Sequence, residues 1–340
     1  MKVIIPIAGT GLRMRPMTLN TPKCLLPIAG GTILGHILAK LEHLSISEYI
    51  FVVGYLGKNV ENYISTEYPH ITAKFVWQNK PQGLGEAINL CGEHLTDNEP
   101  VLIILGDTLF EANFSSLKSL SGNVLYVREV EDPRRFGVAK TDKDGKVEVL
   151  VEKPQEFVSN KALVGIYAIS NIAELKKSLN YLIDNNVKTR GEYQLTDALQ
   201  HMLKNGCEFT TASITEWLDC GTPEILLESN RYLLDTLPAA EKEEDEEEEK
   251  PLEERFPDCE FEFPCFVGSQ TELSNCRIGP FASIGKNCKI KGTAVENSII
   301  ANGSTLLNSS VRNSILGENT LINNFSGSLY TGNSCVINPS

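Results

Sequence analysis

GTGLRMRPMTLNTPK, residues 9–23, directly follows the apolar run KVIIPIA of residues 2–8. Such a run reads as a buried strand, so two glycines, two arginines and a lysine stand where that strand opens into a loop. Gly9 and Gly11 lack a Cβ, which lets the backbone turn sharply and bring N–H groups close to an anion. Arg13, Arg15 and Lys23 add positive charge around it. Two familiar phosphate loops do not fit. A dinucleotide fingerprint needs a third glycine where Met14 stands, and an acidic residue at the end of the second strand, where the chain has Val53, Gly54 and Tyr55. A P-loop needs Gly-Lys-Ser/Thr, whereas Lys23 lies between Pro22 and Cys24.

Outward from this loop, the sequence alternates short apolar runs with amphipathic stretches. Residues 32–45 place Ile33, Ile37, Leu38 and Leu41 on one helical face with Thr32 as N-cap. Strands are expected over 49–54, 73–78 and 101–105, with helices over 60–68 and 84–95. Strands alternating with helices and lacking polar alternation indicate an α/β, mainly parallel, doubly wound (Rossmann-like) sheet, whose ligands gather at the carboxyl ends of its strands. The loop after the first strand, Gln78 and Asp107 then share one edge. From 124 to 170 the pattern is strand-rich (124–130, 136–141, 147–152, 163–170). Helices follow over 172–185, 193–205 and 223–237, with a strand at 208–214.

The 340 residues suit two domains. The reading places one over 1–237, an acidic linker over 238–256 and a second domain over 257–340. Residues 241–255 hold ten acids against three bases, net −7 of the chain's −13, so the remainder carries only −6. That mild acidity disfavours nucleic acid but allows a local basic pocket. With no apolar run of about 18 residues and no leader, a cytoplasmic protein without a membrane segment is expected. The nine cysteines form no C-x-x-C pair and are read as free thiols; the five histidines match no metal or triad pattern. In the last part of the chain, lone aliphatics recur at steps of five or six: Val267, Leu273, Ile278, Ile284, Ile290, Val295, Ile300, Leu306, Val311, Leu316 and Ile322. This period resembles the hexapeptide repeat of a short left-handed parallel β-helix, in which each coil buries its aliphatics on the next. The steps of five and the Asn/Ser-rich tail suggest an irregular helix of few coils.

The opening stretch resembles the signature G-x-G-T-R-L-x-P-L-T…P-K-x-L-L-P of the sugar-1-phosphate nucleotidyltransferases, the NDP-sugar pyrophosphorylases. It reads here Gly9, Gly11, Leu12, Arg13, Met14, Pro16, Met17, Thr18, then Pro22, Lys23, Leu25, Leu26, Pro27. Leu12 stands where the family has Thr, and Met14 and Met17 where it has Leu. Further stretches resemble family motifs in the family's order: QNKPQGLGEAI (78–88), Gly106-Asp107, Phe136-Gly137-Val138, Glu152-Lys153-Pro154, LVGIY (163–167), RGEYQLTD (190–197) and WLDCGT (217–222). The pattern is most similar to glucose-1-phosphate thymidylyltransferases with an added β-helix, although GLGE at 83–86 leans towards some uridylyl enzymes.

The resemblance implies nucleotidyl transfer from a nucleoside triphosphate, dTTP or UTP, to a sugar 1-phosphate such as glucose 1-phosphate. It implies Arg13 and Lys23 as catalytic residues, and Ala8, Gly9, Gly11, Gln78 and Gly83 at the nucleotide. Gly137, Glu152, Lys153, Gly165 and Arg190 are implied at the sugar phosphate. Asp107 and Asp219 are implied as ligands of Mg²⁺, an ion that takes one or two carboxylates plus phosphate oxygens. A homo-oligomer is expected. A non-catalytic regulatory subunit is the second reading, with Leu12 as its support. A bifunctional enzyme with an acyltransferase β-helix is the third, and it lacks a histidine base, since no His follows His201.

Overall fold

Four parallel strands form the frame of the first part of the chain: Val101–Ile104, Lys2–Pro6, Glu48–Val53 and Ala73–Trp77, side by side in that order. The structure, a computed structural model, describes residues 1–114, 117, 122–236 and 250–338. The runs VIIP, YIFVV and VLII are apolar without alternation because both faces of the sheet are covered; Val3, Ile4, Ile5, Ile50, Phe51, Val52 and Ile103 are all fully buried. Register pairs such as Ile4 with Ile50 and Ile103 bring the carboxyl ends of these strands to one edge. Beyond Val101–Ile104 the sheet turns antiparallel through Lys161–Ile169, which pairs with Asn123–Glu129 and Gly137–Thr141. Val147–Glu152 closes that side, and Phe209–Ser213 adds to Asn123–Glu129. The nine described strands therefore make a mixed sheet, parallel in the half that carries the phosphate loop.

The described residues form two compact units. One is Met1–Thr10 with Ile37–Leu218; the other is Gly11–His36 with Asp219–Ser340. The first unit's core lies between the sheet and the helices Leu84–Asn89, Ile172–Asp184 and Leu195–Lys204, with Leu175, Ala198, Leu199 and Met202 completely buried. The expected helix over 84–95 stops at Asn89 and becomes a 3₁₀ turn at Gly92–His94, where glycine weakens α-helix continuation. Four short strands were not anticipated: Thr108–Glu111 and Glu216–Asp219 form one two-stranded ribbon, and Pro27–Ile28 and Gly31–Thr32 another.

In the second unit the aliphatics at period five to six stack in columns. Val267, Ile284, Ile300 and Leu316 form one, Leu273, Ile290, Leu306 and Ile322 another, and Ile278, Val295 and Val311 the third. All eleven are buried in one core, and the three parallel sheets carry the repeat of a left-handed β-helix. The coils are regular. The abundant Asn residues occupy corners with positive φ, including Asn275, Asn287, Asn297, Asn308, Asn313, Asn319 and Asn324, a conformation Asn tolerates better than most residues. Of the linker expected over 238–256, residues 238–249 lie outside the described residues, and Leu252–Arg255 forms a short helix. None of the nine cysteines is joined in a disulfide.

Gly11–His36, with the signature loop from Gly11 onward, packs within this second unit. Asn230, fully buried on the helix Pro223–Thr236, accepts from the Ala29 N–H (3.0 Å) and donates to the Phe281 carbonyl (3.1 Å). Asn333 donates to Thr21 Oγ1 at 3.2 Å. The ring of Phe266 fills the space beside Gly30, where a Cβ would lie 2.7 Å from the ring. Thr32 caps its helix as expected, accepting from the Gly35 N–H at 2.9 Å.

Candidate active site

The loop's conformation begins at Gly11, whose φ of 61° is left-handed and whose carbonyl accepts from Thr18 Oγ1 at 2.8 Å. A Cβ there would sit 2.9 Å from the Thr18 methyl, so the position is closed to other residues. Gly9 is different: a Cβ on it meets nothing within 4 Å, and Gly9 is exposed. The room beside its backbone is open to a ligand. Ala8 is buried, whereas Leu12 and Arg13 are exposed.

Arg13 and Asp219, far apart in sequence, converge over Gly221. A Cβ on Gly221 would lie 2.9 Å from Arg13 Nη2 and 3.2 Å from Asp219 Oδ1. The missing side chain thus gives the guanidinium and the carboxylate a shared space. Lys23 is half-buried at the start of the turn Lys23–Leu25 in the same unit.

The first unit carries the remaining candidates. Asp107 follows Gly106, where a Cβ would come within 2.0 Å of Ile7, so only glycine lets the Val101–Ile104 strand end run beside the first strand. Gln78 follows Ala73–Trp77 and is 5 % exposed; its amide nitrogen donates to Glu86 Oε2 (2.5 Å) and to the Gly83 carbonyl (3.3 Å). The 78–86 segment is anchored by backbone bonds from Gly85 N to Tyr193 O and from Tyr193 N to Gln82 O, each 2.8 Å. The segments expected to hold base and sugar are therefore tied directly together.

At the sugar-phosphate candidates, Glu152 Oε2 accepts from Thr196 Oγ1 at 2.7 Å and Oε1 lies 3.2 Å from Lys153 Nζ. Arg190, exposed and with a φ of 54°, donates to the Lys153 carbonyl at 3.1 Å. Gly137 borders the same carboxylate, so Gly137, Glu152, Lys153 and Arg190 come together. Gly165 has a different local task. It sits at a register shift of its strand with a φ of 85°, and its Cβ position is filled by Leu105.

Sequence reasoning passed over Thr196, Asp197 and Glu86, although all lay in stretches it quoted. Asp197 Oδ2 and Trp217 Nε1 are buried without a hydrogen-bond partner among the described residues. Burial, and then the charge of Glu152, push the Asp197 carboxyl above its ordinary range against a bond from Thr189. Tyr167 is raised for the same two reasons.

The sequence profile described as nucleotidyl transferase matches residues 2–236. The chain belongs to this family. It is 35 % identical over 237 residues to a Methanocaldococcus jannaschii protein named bifunctional protein GlmU, covering 70 % of this chain and 55 % of that one. The chain thus spans about half the length of that relative. It is 28 % identical to the low-salt glycan biosynthesis nucleotidyltransferase Agl11 of Haloferax volcanii, across 99 % of this chain and 98 % of the relative. Over 95 % of this chain and 93 % of the relative it is 29 % identical to a glucose-1-phosphate thymidylyltransferase of Streptomyces antibioticus. Among solved structures, one from Bacillus anthracis, assigned as a glucose-1-phosphate thymidylyltransferase in complex with a sucrose, aligns with a TM-score of 0.60 and 29 % identity. It covers 71 % of this chain and 98 % of that one. Nucleotidyl transfer is the chemistry for which this family is named. No described helix is long and apolar enough to cross a membrane.

Proposed function

We propose that the chain transfers a nucleotidyl group from dTTP or UTP to glucose 1-phosphate, yielding an NDP-sugar and pyrophosphate. The observation that carries this reading is the convergence of Arg13 and Asp219 over Gly221, which unites the signature-loop cation with a carboxylate of WLDCGT. A phosphate oxygen of the sugar phosphate attacks the α-phosphorus in line. As the new P–O bond forms, the bond to the bridging oxygen breaks and its electron pair leaves with pyrophosphate. The attacking group is already an anion, so no side chain needs to accept a proton, and the protein's work is positioning and charge neutralisation.

Arg13 neutralises charge developing on the α-phosphate and leaving group, and Lys23 spans the phosphates of both substrates. Lys153 and Arg190 hold the sugar phosphate, while Glu152, oriented by Thr196, accepts from sugar hydroxyls. Ala8, Gly9 and Gly11 offer backbone to the triphosphate. Asp107 and Asp219 would hold Mg²⁺; two hard oxygen donors completed by substrate oxygens match its coordination, and the ion supplies positive charge at the phosphates when bound. Residues 1–237 are assigned the chemistry and 257–340 the support of the signature loop, in a homo-oligomer.

The names of the GlmU relatives favour one second reading, a β-helix with its own acyl-transfer activity. The absence of any histidine after His201 speaks against it. The test is pyrophosphate release with Mg²⁺ across five nucleoside triphosphates and a panel of sugar 1-phosphates. Release confined to one triphosphate and one sugar phosphate is expected. No release from any pair, with Asp107→Ala behaving identically, would leave the non-catalytic regulatory reading.

A further inference from the structure

The two amide hydrogens of Gln78 face two groups that can only accept, the Glu86 carboxylate and the Gly83 carbonyl. Turned the other way, the amide would set its oxygen against both. Its neighbours therefore dictate its orientation. Both hydrogens are thereby taken, and the oxygen Oε1 is the end of the amide that neither of these neighbours engages. It is the acceptor end of a side chain that is only 5 % exposed.

We infer that Glu86 is a positioning residue for base selection: it holds the Gln78 amide so that only a hydrogen-bond acceptor is presented to the base. This rests on the nucleotidyltransferase reading and on Gln78 facing the base. An acceptor opposite ring position 3 meets an N–H in uracil or thymine and a lone pair in cytosine. The site then takes an imide pyrimidine and disfavours cytosine. A buried polar group left unpaired is what makes such discrimination strong. The carboxylate is essential to the device, because a glutamine at position 86 can either accept or donate and so lets the Gln78 amide turn over. Gly85 keeps the device in place, since a Cβ there would lie 3.0 Å from the Tyr193 carbonyl that anchors the segment.

The experiment compares kcat/KM for UTP, dTTP and CTP, with a saturating sugar 1-phosphate, in the native protein, Glu86→Gln and Glu86→Asp. Equilibrium binding of each triphosphate in the absence of sugar phosphate is measured alongside, and melting curves confirm folding. The native protein is expected to prefer UTP or dTTP to CTP in both readouts. Glu86→Gln should narrow that preference by about tenfold or more, the scale of one hydrogen bond gained or lost at a base. Glu86→Asp, which keeps a carboxylate, should restore much of it. Equal use of CTP and UTP by the native protein, or a preference untouched in Glu86→Gln, would overturn the role of Glu86 while leaving the enzyme reading standing. If no triphosphate is turned over, the enzyme reading falls and the binding ranks alone decide the Glu86 assignment.

Discussion

Thr196 Oγ1 donates to Glu152 Oε2 at 2.7 Å across the space that a side chain on Gly137 would fill; a Cβ there would lie 2.7 Å from the hydroxyl and 2.9 Å from the carboxylate. The Glu152 side chain is 8 % exposed, so this bond helps to keep an enclosed charge satisfied. Thr196→Val should cost about 1.5–3 kcal/mol of folding stability, the range for a hydrogen bond to a charged group. It should also raise KM for the sugar phosphate several-fold while leaving KM for the triphosphate in place. Steady-state kinetics in both substrates, with denaturant melts, check this. An equal rise in both KM values would remove Glu152 from the sugar site.

Arg13 is exposed, so Arg13→Ala should leave the melting temperature nearly unchanged while pyrophosphate release falls by about 10²–10³. Asp219→Asn should act in the same direction. Stripping divalent ions with a chelator should abolish release, and added Mg²⁺ should restore it. Arg13→Ala retaining activity within a few-fold would sink the assignment of this cation to the α-phosphate.

Burial and the nearby Glu152 charge raise the Asp197 carboxyl above the usual aspartate value of about 3.9. A carboxyl raised in the folded state contributes stability that is fully present below the unfolded pKa and is lost as pH climbs through the folded one. Asp197→Asn removes that loss. Relative to the native protein, the variant should gain stability from about pH 4 upward and show no gain in acid. Urea melts across this range read the difference, and a constant difference at every pH would show that Asp197 does not titrate there.

Asn230 satisfies one donor just past the signature stretch, the Ala29 N–H, and one acceptor of the β-helix, the Phe281 carbonyl, with a single buried side chain. Asn230→Ala leaves both groups without that partner, at a cost of about 1–3 kcal/mol for each buried group not reached by water. Pyrophosphate release should fall as well, because the segment that follows the loop bearing Arg13 and Lys23 loses a brace. A variant that melts early yet turns over normally at low temperature would show that the brace serves stability only.

Ile300 lies mid-column in the β-helix with 1 % exposure, and Val336 near the end of the described chain with 66 %. Ile300→Ala should cost about 2–5 kcal/mol through the cavity it opens. Val336→Ala should change little, as calorimetry of the two variants would show.

Much of this was legible in the sequence because it depends on local pattern. Continuous apolar runs mark strands covered on both faces, and three of the four parallel strands lie where such a run stands, while the fourth, Ala73–Trp77, carries an exposed Lys74 at the end of the sheet. The eleven aliphatics at period five to six all reached the β-helix core, since a repeat that buries one side chain per face carries its geometry in its spacing. The family resemblance likewise implied one group for Glu152, Lys153 and Arg190, and in the fold Arg190 donates to the Lys153 carbonyl while Lys153 Nζ lies 3.2 Å from Glu152. The Asn-rich corners were misread as irregularity because a positive φ is a property of the folded turn and leaves only a compositional trace.

Other relationships were settled only when distant segments met. The meeting of Arg13 with Asp219 over Gly221, the passage of the Thr196–Glu152 bond beside Gly137, and the placing of the signature loop in one unit with the β-helix all join residues remote in sequence. So does the enclosure that leaves Asp197 Oδ2 unpartnered. Periodicity and motif order record what each segment prefers along its own length. Hydrogen-bond partners, shared space and desolvation arise between segments, and for this chain they became definite only in the packed tertiary structure.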